Sequence, residues 1–195
     1  MKQAGLACRV LPPDEPPNEH GAVDESPLSG EPPTAYVERV SRAKAEHGYT
    51  RLRADPEIGY PCLLLAADTT VVQAGNILGK PRDAADAARM LRALAGRTHR
   101  VLSGVVLRLC TARGDFQERY RLNQTRVRFR TLTSSEINAY IASGEPFDKA
   151  GAYGIQGAAG AFVARLCGSY TGVMGLPIYE LGLLYRELGL SDLKR

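Results

Sequence analysis

The spacing of apolar and polar positions changes several times along the chain, and each change predicts an element. CLLLAA, from Cys62 to Ala67, is a short unbroken apolar run of the kind found in buried strands. It leads into DTTVVQ, a turn at Gly75-Asn76, and GKP. Upstream, TAYVERVSRAKAEH carries apolar residues at helical spacing, with Thr34 after Pro32 and Pro33 as the predicted N-cap and Gly48 as the stop. From Asp83, DAADAARMLRALAG reads as an amphipathic helix closed by Gly96. HRVLSGVVLRLC and QERYRLNQTRVRFR are two long β-type segments joined by a turn containing Gly114-Asp115. Thr133 and Glu136 have capping-box spacing for the helix SSEINAYIASG. A Gly-rich segment, the apolar run AFVARLC and a last helix opening at Pro177 complete the pattern. Residues 12–33, rich in Pro, Glu, Asp and Gly, predict a long irregular loop.

Helices alternate with strands, so the class is α/β, and the predicted hairpins make the sheet mixed rather than purely parallel. Apolar residues are 44% of the 195, enough for a core, and no apolar run is long enough to cross a bilayer. The N-terminal MKQAGLACRVLPPDE lacks the layout of a signal peptide, which points to a cytoplasmic protein. Cys8, Cys62, Cys110 and Cys167 form no CxxC pair and predict reduced, mostly buried thiols; His20, His47 and His99 are equally scattered. The formal charge of +4 suits an anionic ligand without demanding one. Its densest basic stretch places Arg126, Arg128 and Arg130 in alternation with Val127 and Phe129, the period of a half-exposed strand. A solvated sheet face explains that stretch better than a nucleic-acid surface, because no aromatic-and-basic RNA motif accompanies it.

Four places carry candidate chemistry. Asp68 directly follows the apolar run, so it is expected where a buried strand ends, the usual place for ligands in open α/β sheets. There it could hold a divalent cation or orient a water, or simply form the turn. Lys44 falls between Val37 and Val40 on the inward stripe of its helix, so its ammonium must reach a partner, a cleft or, along its stem, water. Lys80 sits in GNILGKP, whose glycines and proline fix the local backbone. In FDKAGAYGIQG, Phe147 to Gly157, small residues would let a ligand approach the backbone, and Asp148, Lys149, Tyr153 and Gln156 supply a carboxylate, an ammonium, an aromatic face and an amide. Asp148 could share a metal with Asp68, Lys149 could meet phosphate, and Gln156 could read a base edge.

In their order these segments resemble a known family. AADTTVV, GKP, FDKAGAYGIQG and GSYTGVMGLP, with SRAKAEH upstream and LSGV at Leu102–Val105, are similar to the Maf-like nucleoside triphosphate pyrophosphatases, and the likeness extends from Gln3 to the last helix. The resemblance implies a single domain over 1–195, elongated and two-lobed around a central nucleotide cleft, as in the inosine-triphosphate pyrophosphatases. It implies Asp68 as the catalytic carboxylate, Lys44 and Lys80 as phosphate-binding lysines, and Thr69 and Gln156 at positions tied to base choice, matching the branch that acts on dTTP and UTP. The reaction would be attack of water on the α-phosphorus with release of pyrophosphate, assisted by Mg or Mn; members of the family often form homodimers, so the resemblance leaves a homodimer open. The family begins with a strand and a Ser-x-Ser-Pro-Arg-Arg loop before a helix ending much like KQAGLACRVLP. This sequence begins inside that helix, so strand and loop are expected to be missing. The 195-residue chain as written is then expected to be nearly inactive and poorly stable, and about a dozen added residues, enough for a strand and a phosphate loop, to restore both.

Three other readings remain open at this point. One is a nucleotide-binding protein without turnover, one a 7-methyl-GTP pyrophosphatase, and one a nucleic-acid-binding module resting on the arginine-bearing strand alone.

Overall fold

The structure is a computed structural model that describes residues 8–11, 23–112 and 114–190. The helix expected to end at KQAGLACRVLP lies mostly outside these residues, and Cys8–Leu11 carry no regular structure.

Three long strands form the frame. β1 (Cys62–Gln73), β3 (Thr98–Ala112) and β4 (Asp115–Phe129) lie side by side, with β2 (Asn76–Leu78) on the outer edge of β1 and β5 (Val163–Cys167) beyond β4. The α/β class is as expected. Every pairing in this sheet is antiparallel, so the parallel component of a mixed sheet does not occur among the described residues. For two of the pairings the cause is local: tight turns join β1 to β2 and β3 to β4, and such turns can only reverse the chain.

Side-chain alternation divides the sheet into two faces. On one face, Leu102, Gly104, Val106 and Arg108 of β3 lie under α1 (Pro33–Ala54). The other face is covered at one end by α2 (Ala84–Leu94) and α3 (Ser134–Ala142), which enclose Val71, Val101, Val127 and Phe129. At the other end α5 (Ile178–Glu187) packs Leu181 and Leu184 on Val105 and Leu107. No described helix is long and apolar enough to cross a membrane.

Several boundaries differ from the sequence reading. α1 does not stop at Gly48 but runs to Ala54, because Tyr49 and Leu52 anchor its last turns against Leu64 and Cys110. Its N-cap is Pro32 in an extended conformation, not Thr34. Pro177 occupies the N-cap of α5 rather than its first helical position. The Thr133–Glu136 capping box and the Asp83 cap of α2 both form. The thiols are less buried than expected: Cys110 is enclosed and Cys62 partly so, but Cys8 lies in irregular chain and Cys167 ends an edge strand, and both are exposed. Arg126 and Arg128 are exposed on the α1 face of the sheet, at the end that the helix does not reach, with Arg100 and Arg165 as their register neighbours, which is the solvated sheet surface expected.

One glycine sets how closely α1 lies on the sheet. A Cβ on Gly104 would stand 2.4 Å from Ser41 Oγ and 3.1 Å from the Tyr120 ring. Ser41 is fully buried and donates back to the Val37 carbonyl at 2.6 Å, so it has little room to retreat. Gly104→Ala should therefore lift α1. Overpacking of this kind costs about 1–3 kcal/mol, or a fall in Tm of roughly 2–10 °C at this chain length, which a thermal melt will read. An unchanged Tm would show that the helix slides freely.

Candidate active site

Asp68 does not sit at the end of a strand. It lies inside β1, paired with Gly104, because Thr69, Thr70, Val71 and Val72 are β-branched and carry the strand onward. Its side chain shares the α1 face with Gly104. Lys44 lies one turn beyond Ser41 on α1, so the close approach at Gly104 delivers the ammonium onto the carboxylate. Lys44 Nζ donates to Asp68 Oδ1 at 2.6 Å. A second carboxylate meets it there: Glu25 Oε1 stands 2.7 Å from the same Nζ.

Glu25 was not legible in the sequence, since it lies in the stretch read only as an irregular loop. What holds it is long-range. Tyr36 Oη donates to the Glu25 carbonyl at 2.9 Å, and Arg39 binds the neighbouring loop through Glu31 Oε1 at 2.7 Å and the Ser26 carbonyl at 2.9 Å.

Electrostatics follow from this packing. Burial by itself would pull the Lys44 ammonium down. The charge of Asp68 and the hydrogen bonds to Asp68 and Glu25 outweigh it, so the pKa of Lys44 is raised. Tyr36 is pushed up to about 12, chiefly by burial and then by the charge of Asp68.

These groups line a cavity of about 260 Å³ that wraps around the edge of β1. On the α1 side stand Asp68, Thr70, Lys44, Glu25 and Tyr36; on the opposite side of the strand stand Thr69, Val101, Tyr153 and Met174. Lys80, Asp148, Lys149 and Gln156 also line it, so every residue singled out from the sequence faces the same space. The Gly-rich loop is folded onto β1 by backbone contact. Gly151, at φ +68°, donates its N–H to the Gly79 carbonyl at 3.0 Å, and a Cβ there would come within 2.8 Å of the Val71 side chain. This tie places the GKP segment and the FDKAGAYGIQG loop side by side. Lys149 Nζ donates to Asp148 Oδ1 at 2.6 Å and to the Glu145 carbonyl at 3.0 Å, and the Lys149 ammonium holds the Asp148 carboxyl below its usual range.

Among the described residues no three metal-ligating side chains converge on one point. The donors that line the cavity are nevertheless hard carboxylate oxygens, and one or two carboxylates completed by substrate phosphates is the usual way in which Mg²⁺ is held. Thr70 is 2% exposed, and its hydroxyl, with no hydrogen-bond partner among the described residues, is a spare polar group on the Asp68 side.

Comparison with known proteins finds relatives over most of the chain. The chain is 49% identical over 192 residues to a dTTP/UTP pyrophosphatase of Nitrosomonas europaea, covering 98% of this chain and 89% of the relative. It is 53% identical over 171 residues to a dTTP/UTP pyrophosphatase of Dechloromonas aromatica, covering 87% and 81%. It is 50% identical over 191 residues to a dTTP/UTP pyrophosphatase of Bordetella pertussis, covering 98% and 87%. Residues 1–188 match the family described as Maf-like protein, and the chain therefore belongs to that family.

Proposed function

We propose that this chain hydrolyses dTTP and UTP to the monophosphate and pyrophosphate. One observation carries the reading: a single cavity holds a carboxylate–lysine pair on one side of β1 and a hydroxyl in an apolar slot on the other. A nucleotide needs both kinds of surface, one for its phosphates and one for its base.

Asp68 accepts the proton of the attacking water, whose oxygen bonds to the α-phosphorus as the bond from that phosphorus to the leaving pyrophosphate oxygen breaks. Lys44, Lys80 and Lys149 are the cations for the triphosphate and for the charge that gathers on the departing pyrophosphate. Thr69 and Gln156 contact the base. Asp68, with Glu25 or Asp148, would hold a divalent cation, which would neutralise phosphate charge and help acidify the water.

A nucleotide panel tests the reading. Pyrophosphate release with Mg²⁺ or Mn²⁺ is expected to show the highest kcat/KM for dTTP and UTP. A clear preference for 7-methyl-GTP would overturn the substrate assignment, and binding without release would leave a nucleotide-binding protein.

A further inference from the structure

The Thr69 and Ser103 hydroxyls face each other across β1 and β3, where the two residues are register partners, at 2.9 Å. Ser103 is fully buried, and its only proton is committed: Oγ donates to the Gly172 carbonyl at 2.6 Å. Gly172 belongs to α4 (Tyr170–Val173) and is held by its own N–H, which donates to Ser169 Oγ at 3.0 Å. A Cβ on Gly172 would lie 2.6 Å from Asn123 Oδ1, so this turn packs closely against β4. With Ser103 spent on Gly172, the proton between Ser103 and Thr69 must come from Thr69. The Thr69 oxygen then has no proton left for the cavity and presents lone pairs alone.

We propose that Ser103 is a positioning residue that makes Thr69 an obligate hydrogen-bond acceptor, so that the site selects the ring N–H of a uracil or thymine imide and rejects cytosine. The inference rests on the nucleotide reading above. Uracil and cytosine have nearly the same shape and differ at this edge: the ring nitrogen of uracil donates, and that of cytosine is a bare acceptor. Facing an acceptor-only hydroxyl, cytosine sets lone pair against lone pair. Gln156 cannot make this distinction, because an amide carries both a donor and an acceptor and turns to suit either base. Thr69 stands among Val101, Tyr153, Val173 and Met174, an apolar slot where an unmatched polar edge is not readily repaid by water.

The test uses the full chain. UTP and CTP are titrated calorimetrically with EDTA present, and pyrophosphate release is measured in parallel with Mg²⁺. Wild type is expected to favour UTP. Thr69→Val and Ser103→Ala should each lower the UTP-to-CTP ratio by roughly tenfold or more, while Thr69→Ser keeps it. In the double variant the ratio should fall no further than in Thr69→Val alone, because Ser103 acts only through Thr69. Equal weakening of both nucleotides by Ser103→Ala, or multiplicative losses in the double variant, would reduce Ser103 to a structural role and overturn the proposal. If Ser103→Ala does not fold, the Thr69→Val and Thr69→Ser pair still decides: an unchanged ratio in Thr69→Val overturns it. The underlying reading fails differently. Selective UTP binding without pyrophosphate release supports the acceptor assignment and removes the hydrolase; release without discrimination between UTP and CTP does the reverse.

Discussion

Asp68→Asn is expected to lower kcat on dTTP by roughly two or more orders of magnitude while the protein stays folded. The substitution is close to isosteric. The amide oxygen can still accept from Lys44, whose second partner, Glu25 at 2.7 Å, is untouched. The β1–β3 ladder at Asp68 and Gly104 is a backbone pairing and does not depend on the side chain. What disappears is the charge and the basicity that would take the proton of the attacking water. Because Asp68 is 8% exposed and paired inside the sheet, a modest loss of stability accompanies the change, and Tm should drop by a few degrees at most. kcat and kcat/KM should fall together, since a base acts only in the transition state. Near-normal turnover by a variant with a native melting curve would remove Asp68 from the chemistry.

How much of this site could be read from the sequence depends on whether the signal was local. Lys44 was visible because a charged residue interrupted an apolar stripe, and it does meet a carboxylate. Asp68 was picked out as a cavity residue, which it is, but with the wrong placement on its strand. A carboxylate after an apolar run reads as a strand terminator, yet the β-branched Thr69–Val72 that follow were evidence that the strand continues. The extra length of α1 beyond Gly48 was hidden because glycine is a helix stop only where the chain turns left-handed. Here it stays helical under Leu64 and is bracketed by buried Tyr49. Glu25 had no local signature: Tyr36, Arg39 and Lys44, eleven or more positions away along the chain, hold its segment beside the site. The Thr69–Ser103–Gly172 chain of hydrogen bonds was likewise invisible, since it joins three segments whose register exists only once the strands have paired. The same holds for Arg108, which is 4% exposed inside a strand and is neutralised by Glu118 and Glu46 from two other elements.

Lys44→Met should separate the two tasks that its position suggests. The ammonium stays charged throughout the neutral range, because Asp68 and Glu25 raise its pKa, so it serves as a fixed cation rather than as a proton donor. It either binds substrate phosphate or merely balances two facing carboxylates, of which Asp68 is nearly enclosed. Methionine retains most of the stem and its packing on α1 and removes the charge. Without the cation, Asp68 and Glu25 repel each other, and Tm falls. Turnover of dTTP should fall roughly 10²–10³-fold, the scale seen when one preorganised donor to a developing anion is removed. Raising Mg²⁺ then distinguishes the tasks. A divalent cation can stand in for Lys44 between the carboxylates and restore Tm, but it cannot replace a phosphate contact made by the lysine itself. The expected result is therefore a recovered melting temperature with KM for dTTP still elevated and kcat still depressed at saturating Mg²⁺. Full recovery of turnover along with Tm would show that Lys44 only balances charge, and Lys80 and Lys149 would then carry the triphosphate without it.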